Sequence, residues 1–248
     1  MAFVRHLVSY CIIGFVLFSC AREEAWDCVQ AAGERTIVDV PFDTTILNIK
    51  LYDDVSLVLH PGTVQRFELH TRETIVPSVQ FRLDSGFLHI HNQIKCRWAR
   101  ESKNVEVHLY TPVLRRVENW GYGDIRSADT LHFPFNVLIY IPTTIDLKMN
   151  APALGMELYQ LADVKLAGRV GSLDIYINDG RDAIVDAKSL HVTTANIAHA
   201  GYNDIHLNVS DKIRTYIWGS GNILLYQRPT EIVEVEHTGT GKIIVVGE

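Results

Sequence analysis

A short glycine motif returns along this chain and limits what it can fold into. Glycine, any residue, glycine or asparagine, a polar residue and isoleucine follow one another at Gly121–Ile125, Gly201–Ile205, Gly219–Ile223 and Gly239–Ile243. Gly201, Gly219 and Gly239 open the last three copies at intervals of 18 and 20 residues. Gly171–Ile175 is a weaker copy. The flanks repeat as well. Ile213, Thr215 and Ile217 precede Gly219 at the offsets by which Val233, Val235 and His237 precede Gly239. Beyond the turns, Ile205/Leu207, Ile223/Leu225 and Ile243/Val245 alternate with polar or flanking residues, as strands with an inward face do.

A unit of strand, glycine turn and strand cannot bury its own apolar face. Laying the next unit about 4.8 Å away covers that face and pairs the backbone. Glycines at matching positions then serve in one of two ways: they turn the chain with positive φ, or they let neighbouring coils approach closely. Asp124, Asp204 and Asn222 are expected to close the turns through side-chain-to-backbone hydrogen bonds. Gly221 and Gly241 complete the last two turns. The expected fold is therefore all-β, a parallel solenoid behind an irregular N-terminal β cap. An antiparallel sandwich with glycine in its hairpins competes, and the N-terminal third fits it equally well. The runs Ala153–Met156 and Gly168–Gly171 are eroded copies that leave the register of the middle coils open.

The sequence begins with a segment of a different kind. Arg5 and His6 precede an apolar run, Leu7 to Phe18, followed by Ser19 and Cys20. The run has the length of a signal-peptide core and is short for a membrane span. Leu17-Phe18-Ser19-Cys20 resembles a bacterial lipobox, with Phe18 bulkier than the usual occupant. The division expected is 1–19 signal peptide, 20–34 lipid-attached tether and 35–248 one β domain. Acyl chains on Cys20 would contribute about 0.8 kcal/mol per buried methylene. Cys11 leaves with the signal, so Cys28 and Cys96 remain. In an oxidising compartment these two are expected to pair, the alternative being two free thiols. Glu23 and Glu24 behind Cys20 point, by analogy, to surface export.

Apolar residues make up 47% of the chain, enough for a large core. A net charge of −6 argues against nucleic-acid binding, which needs a basic stripe. The C-terminal stretch Ile217–Val245, with its ordered glycine turns and its intervening Pro229, resembles the head GIN domain family of auto-transporter-adhesin-like lipoproteins from Bacteroidetes-type bacteria. Trp26–Gly33 behind the lipobox, and Cys96 ahead of the strand Val105–Pro112, resemble the same family. The resemblance runs from about Asp27 to the end. It implies a right-handed parallel β-helix-like fold, a cell-envelope location and no established activity.

Individual residues offer few chemical constellations. Asp179, Asp182 and Asp186 surround Arg181, a set that enzymes cleaving acidic glycans place on solenoid faces; a polar turn before a strand gives the same sequence. His89 and His91 fall on one strand face without an evident third metal ligand. His191, His199 and His206 are scattered through later coils. Calcium-binding repeats return about every nine residues; here the interval is twice that, and Lys242 would repel a cation. Trp120 and Trp218 each precede a glycine turn and are the candidate ligand platform, the alternative being packing beneath a loop. No cofactor, resident metal or catalytic residue is expected. The reading is a non-catalytic outer-membrane lipoprotein, periplasmic or surface-exposed. It would serve as an adhesin or a module that binds a glycan or an envelope or host protein. The alternatives are a polysaccharide-acting β-helix enzyme and a structural accessory protein.

Overall fold

Alternating apolar and polar residues build strands whose successive side chains face opposite sides. The computed structural model describes residues 33–94, 105–178 and 182–247, and nearly every alternating run within them is a strand. The described residues contain no α-helix, and one 3-10 turn at Val76–Ser78. The strands are β1 (Arg35–Val40), β2 (Asn48–Asp53), β3 (Ser56–Pro61), β4 (Arg66–Arg72), β5 (Val79–Asp84) and β6 (Phe87–Asn92). They continue as β7 (Glu106–Thr111), β8 (Arg116–Gly121), β9 (Ile125–Ser127) and β10 (Phe135–Ile139). Four long strands follow: β11 (Thr143–Leu158), β12 (Ala162–Ile177), β13 (Ile184–His199) and β14 (Ile205–Ile217). The last are β15 (Ile223–Leu225), β16 (Glu231–His237) and β17 (Ile243–Val245).

Each coil contributes one stretch to a front face and the next stretch to a back face. The long strands bend round the corner between them. The first half of β11 pairs with β9 through Ile145 and Ile125, and its second half pairs with β10 through Leu154 and Phe135. The segments around Ile205, Ile223 and Ile243 are parallel neighbours in register, not hairpins. The fold is thus a parallel β-solenoid. Its middle, where sequence left the register open, pairs residue by residue from Thr143/Ala162 to Leu158/Ile177, interrupted only at Pro152. Gly171–Ile175 is no copy of the glycine turn, because it lies inside β12.

The glycine motifs all sit at the corner leading from the front face to the back face. None of the motif glycines has positive φ. Their role is close approach. A Cβ on Gly219 would stand 2.1 Å from the carbonyl oxygen of Gly201, and one on Gly239 would stand 2.1 Å from that of Gly219. A Cβ on Gly121 would lie 2.3 Å from the oxygen of Asp53. A side chain there would push two backbones apart, at a cost of about 1–3 kcal/mol or more. The polar residue of the motif works between coils and does not close its own turn. Asp204 Oδ1 accepts hydrogen bonds from the backbone N–H (2.7 Å) and the amide (2.9 Å) of Asn222. Asn222 Oδ1 accepts from the N–H of Lys242 at 3.0 Å, and Asp124 Oδ1 from that of Thr144 at 3.2 Å.

The repeated flank also differs from its expected offset. Ile217 pairs with His237 as the sequence suggests, but Ile213 pairs with Ile232 and Thr215 with Glu234. The register shifts between Thr215 and Tyr216, and Val235 is the extra residue of this bulge.

The N-terminal cap has a topology no motif announces. β2 lies between β6 and β8, and β3 lies between β7 and β9, all parallel. The first coil in sequence is therefore the second in the stack. The chain leaves it, forms β4 and β5, lays β6 and β7 outside it, then crosses to β8. The outer edge is closed by antiparallel pairings: β5 on β6, β4 on β7, and β1 on β4. Inside, one stack of Leu, Ile and Val runs from this cap to β15, typified by Leu57, Ile125, Ile145, Val164, Val185, Ile205 and Ile223, all fully buried. In the last described coil Ile243 and Val245 are only partly buried, and the inner position before the corner is His237, whose Nδ1 lies 2.8 Å from Glu234 Oε2 and whose Nε2 lies 2.8 Å from the Gly241 carbonyl oxygen. Cys20, Cys28 and Cys96 lie outside the described residues, as do Asp179 and Arg181.

Candidate functional surface

Register decides which side chains of the front face share a column. One column on its outer side runs Tyr52, Trp120, Tyr140, Tyr159. Tyr52 is aligned with Trp120 by the β2–β8 ladder. Trp120 stacks on Tyr140 at 3.9 Å and 13°, and Tyr140 stacks on Tyr159 at 5.0 Å and 4°. Tyr52 is covered on its other side by His91 at 4.0 Å and 9°, while its hydroxyl meets His89 Nδ1 at 3.1 Å. His89 and His91 thus share a face, as their spacing predicts, but they serve a tyrosine. Burial, then Lys50, holds His89 below the usual imidazole range.

The adjoining column fixes these rings. Glu118, 5% exposed, accepts the Trp120 indole N–H at 3.1 Å and lies 3.2 Å from Lys50 Nζ and 2.9 Å from Arg116 Nε. Two coils on, Tyr159 donates its hydroxyl to Glu157 Oε2 at 2.6 Å; this bond, with burial, pushes the phenol up to about 12. The ladder is thereby pre-organised, which lowers the entropy cost of binding. The same column continues from Glu157 through Tyr176, Ala198 and Tyr216. A third column carries Asn136, Gly155, Asp174, Asn196 and Arg214 in register. Where the small residues Gly155 and Ala198 interrupt these columns, the face opens into a cleft of about 290 Å³.

Trp120 and Trp218 both lie on this face and are 42% and 38% exposed. They are not neighbours. Five coil steps separate them, roughly 24 Å at the usual strand spacing. Trp218 meets Tyr216 at 5.9 Å, and Trp120 belongs to the tyrosine ladder. The tyrosines and the cleft escaped the sequence reading. The signal was an outward aromatic recurring at one coil's interval (Trp120, Tyr140, Tyr159), hidden because the intervening corners have no glycine.

Other candidates are taken up in local structure. Asp186 is bound by Lys188, whose ammonium lies 3.1 Å away and whose backbone N–H donates at 3.2 Å. Burial raises the Asp186 carboxyl, and the Lys188 bonds more than reverse this. His206 Nδ1 meets the Tyr226 hydroxyl at 2.9 Å, and His191 meets Asn208 at 3.3 Å. His199 is fully buried. A histidine cluster on the back face was not foreseen. His60 Nε2 lies 2.9 Å from His108 Nδ1, His70 stacks on His108 at 3.7 Å, and Glu68 and Glu106 bond His70 and His108. Among the described residues no three His, Cys, Asp or Glu side chains are arranged to hold a metal ion. None of the described helical segments is long and apolar enough to cross a membrane.

Solved structures share this architecture. A protein described as a "putative adhesin" from Bacteroides fragilis superposes with a TM-score of 0.70 at 18% identity, over 85% of this chain and 96% of that one. A "putative lipid binding protein" from Parabacteroides distasonis gives 0.54 at 12% identity, over 86% and 97%. A "putative adhesin" from Parabacteroides merdae gives 0.50 at 16%, over 86% and 97%. At such identities the likeness is one of fold. No curated protein matches the sequence. The match to a family model is broader than the glycine motifs: it takes in residues 47–229, from the coil of β2 and β3 past β15, and leaves the last coil outside. With most of its solenoid inside that match, the chain belongs to the family described as putative auto-transporter adhesin, head GIN domain.

Proposed function

We propose that this chain is a non-catalytic module of the cell envelope, anchored through acyl chains on Cys20, that binds a glycan across the front face of its solenoid. The observation that carries this reading is the fixed aromatic ladder of Trp120, Tyr140 and Tyr159, flanked by Glu118 and Glu157 and adjoining a cleft with an apolar floor and the polar groups Glu157, Asp174 and Asn196. Aromatic side chains cover the C–H faces of sugars, and carboxylates and amides take up hydroxyls. An adhesin family and a cell-envelope location agree with such a surface. Of the acidic set that an enzyme of this face would use, Asp186 is engaged by the Lys188 ammonium at 3.1 Å.

A glycan array followed by product analysis tests the proposal. The intact protein is expected to retain a glycan without cleaving it. Trp120→Ala is expected to weaken retention about 30-fold, as loss of an interface tryptophan does, at an unchanged melting temperature. Cleavage of the bound glycan, or retention that ignores Trp120, would overturn it.

A further inference from the structure

We infer that the front-face cleft is a subsite for one neutral pyranose ring, held between Tyr176 and Tyr216 above Ala198. The inference rests on reading this face as a glycan-binding surface and names where a single sugar sits. Tyr176 pairs with Ala198, and Ala198 with Tyr216, so the two tyrosines occupy one column with a single small residue between them. All three line the cleft. Two coil steps place the tyrosine positions roughly 9.6 Å apart. That leaves room for one ring between them, as Tyr140 lies between Trp120 and Tyr159 in the neighbouring column. The cleft's 290 Å³ is at the lower edge of small-molecule sites, about 300–1,000 Å³, which suits one sugar unit better than a chain.

The rim selects among rings of this size. Glu157, Asp174 and Asn196 line the cleft, and Arg214 follows Asn196 in register. Asn196 donates to Asp174 Oδ1 at 2.7 Å, which leaves the second Asp174 oxygen and the Asn196 carbonyl as acceptors for hydroxyl protons. The Tyr176 hydroxyl donates to Asn178 Oδ1 at 3.2 Å, which fixes one wall of the cleft. An anionic ring would meet the carboxylates of Glu157 and Asp174 and be repelled. A planar aromatic would leave the rim acceptors without donors. A hydroxylated, uncharged ring satisfies the rim and presents its C–H faces to both tyrosines.

Titration of the purified protein with the methyl glycopyranosides of glucose, galactose and mannose, beside a panel of neutral polysaccharides, is the test. At least one glycoside is expected to bind with an affinity of about 1 mM. Ala198→Tyr fills the gap between Tyr176 and Tyr216, so it is expected to abolish that binding while melting no lower than the parent protein. Tyr216→Ala is expected to weaken binding at least 10-fold, and Tyr216→Phe, which keeps the ring, less than 3-fold. These two variants decide the matter if Ala198→Tyr does not fold. Glycoside or polysaccharide binding that neither Ala198→Tyr nor Tyr216→Ala diminishes, but Trp120→Ala does, overturns the subsite and leaves the front-face reading standing. Absence of binding to every glycoside and polysaccharide overturns both.

Discussion

His199 occupies an inner position two residues ahead of the corner at Gly201, where Asn119 and His237 stand in their own coils. Asn119 serves its corner on both sides. Its amide donates to the Gly123 carbonyl at 2.8 Å, and its oxygen accepts the Gly121 N–H at 3.0 Å. A polar side chain inside the stack thus satisfies backbone groups that an inner leucine would strand. For His199 this place has a consequence. Burial holds its imidazole below the usual range, outweighing the pull of the Asn203 backbone and Asp204. The folded chain keeps it neutral at a pH where the unfolded chain, with an ordinary value of about 6.5, takes up a proton. The unfolded state then binds more protons, so stability is lost as pH falls below about 6.5. His60, His89 and His108 are displaced the same way. His199→Gln is expected to flatten the dependence of unfolding free energy on pH between about 6.5 and 5, by up to about 1.4 kcal/mol per pH unit. Urea unfolding across that range measures it, and an unchanged slope would place the sensitivity elsewhere.

At the scale of the element, the corner is a ladder in its own right. Backbone bonds cross it, such as Gly221 N–H to the Gly201 carbonyl at 3.2 Å, and the side chains of Asp204 and Asn222 run beside them. The last coil depends on this second ladder more than the others do, because Ile243 and Val245 are only partly buried. Asn222→Ala removes the side-chain bonds to Asp204 and to the Lys242 N–H, and is expected to cost about 1–3 kcal/mol at about 0.5–1.5 kcal/mol each. Amide exchange at Ile243–Val245 should quicken about 2- to 10-fold relative to β11, and equal protection would show that the side-chain ladder is dispensable. The glycine motif was legible as a repeat, and its corner position followed from it. Its mechanism was not: positive φ and close approach write the same glycine, and only the position of the neighbouring carbonyl distinguishes them.

For the whole molecule, the decisive feature is the coil of β2 and β3 held between β6/β7 and β8/β9. Leu57 pairs with Ile125 as well as Val107, contacts far apart in sequence, so folding is expected to be slow for a chain of this length. The cap also shields what would otherwise be bare parallel edges on β8 and β9. A chain beginning at Arg115 would present those edges with Val117 and Ile125, both fully buried in the intact protein. It is expected to associate, since unpaired edges recruit other strands. Sedimentation velocity should show species that grow with concentration and that the intact chain lacks. A truncated chain behaving as the intact one does would assign the cap another role.

The sequence by itself determined an all-β repeat and pointed to parallel stacking of Ile205, Ile223 and Ile243, because a strand–turn–strand unit cannot bury its own face; the family came from resemblance, and only the ladder of the coils excluded antiparallel hairpins. The sequence also named Trp120 and Trp218, since an aromatic before a repeated turn is visible in one dimension. The tertiary structure alone decided the order of the first coils and the columns of the front face. Both depend on register, and slipping a strand by one residue sends every side chain to the other side. Tyr176 and Tyr216 are separated by two full coils in sequence, and only the stacking of those coils turns the alanine between them into a cleft.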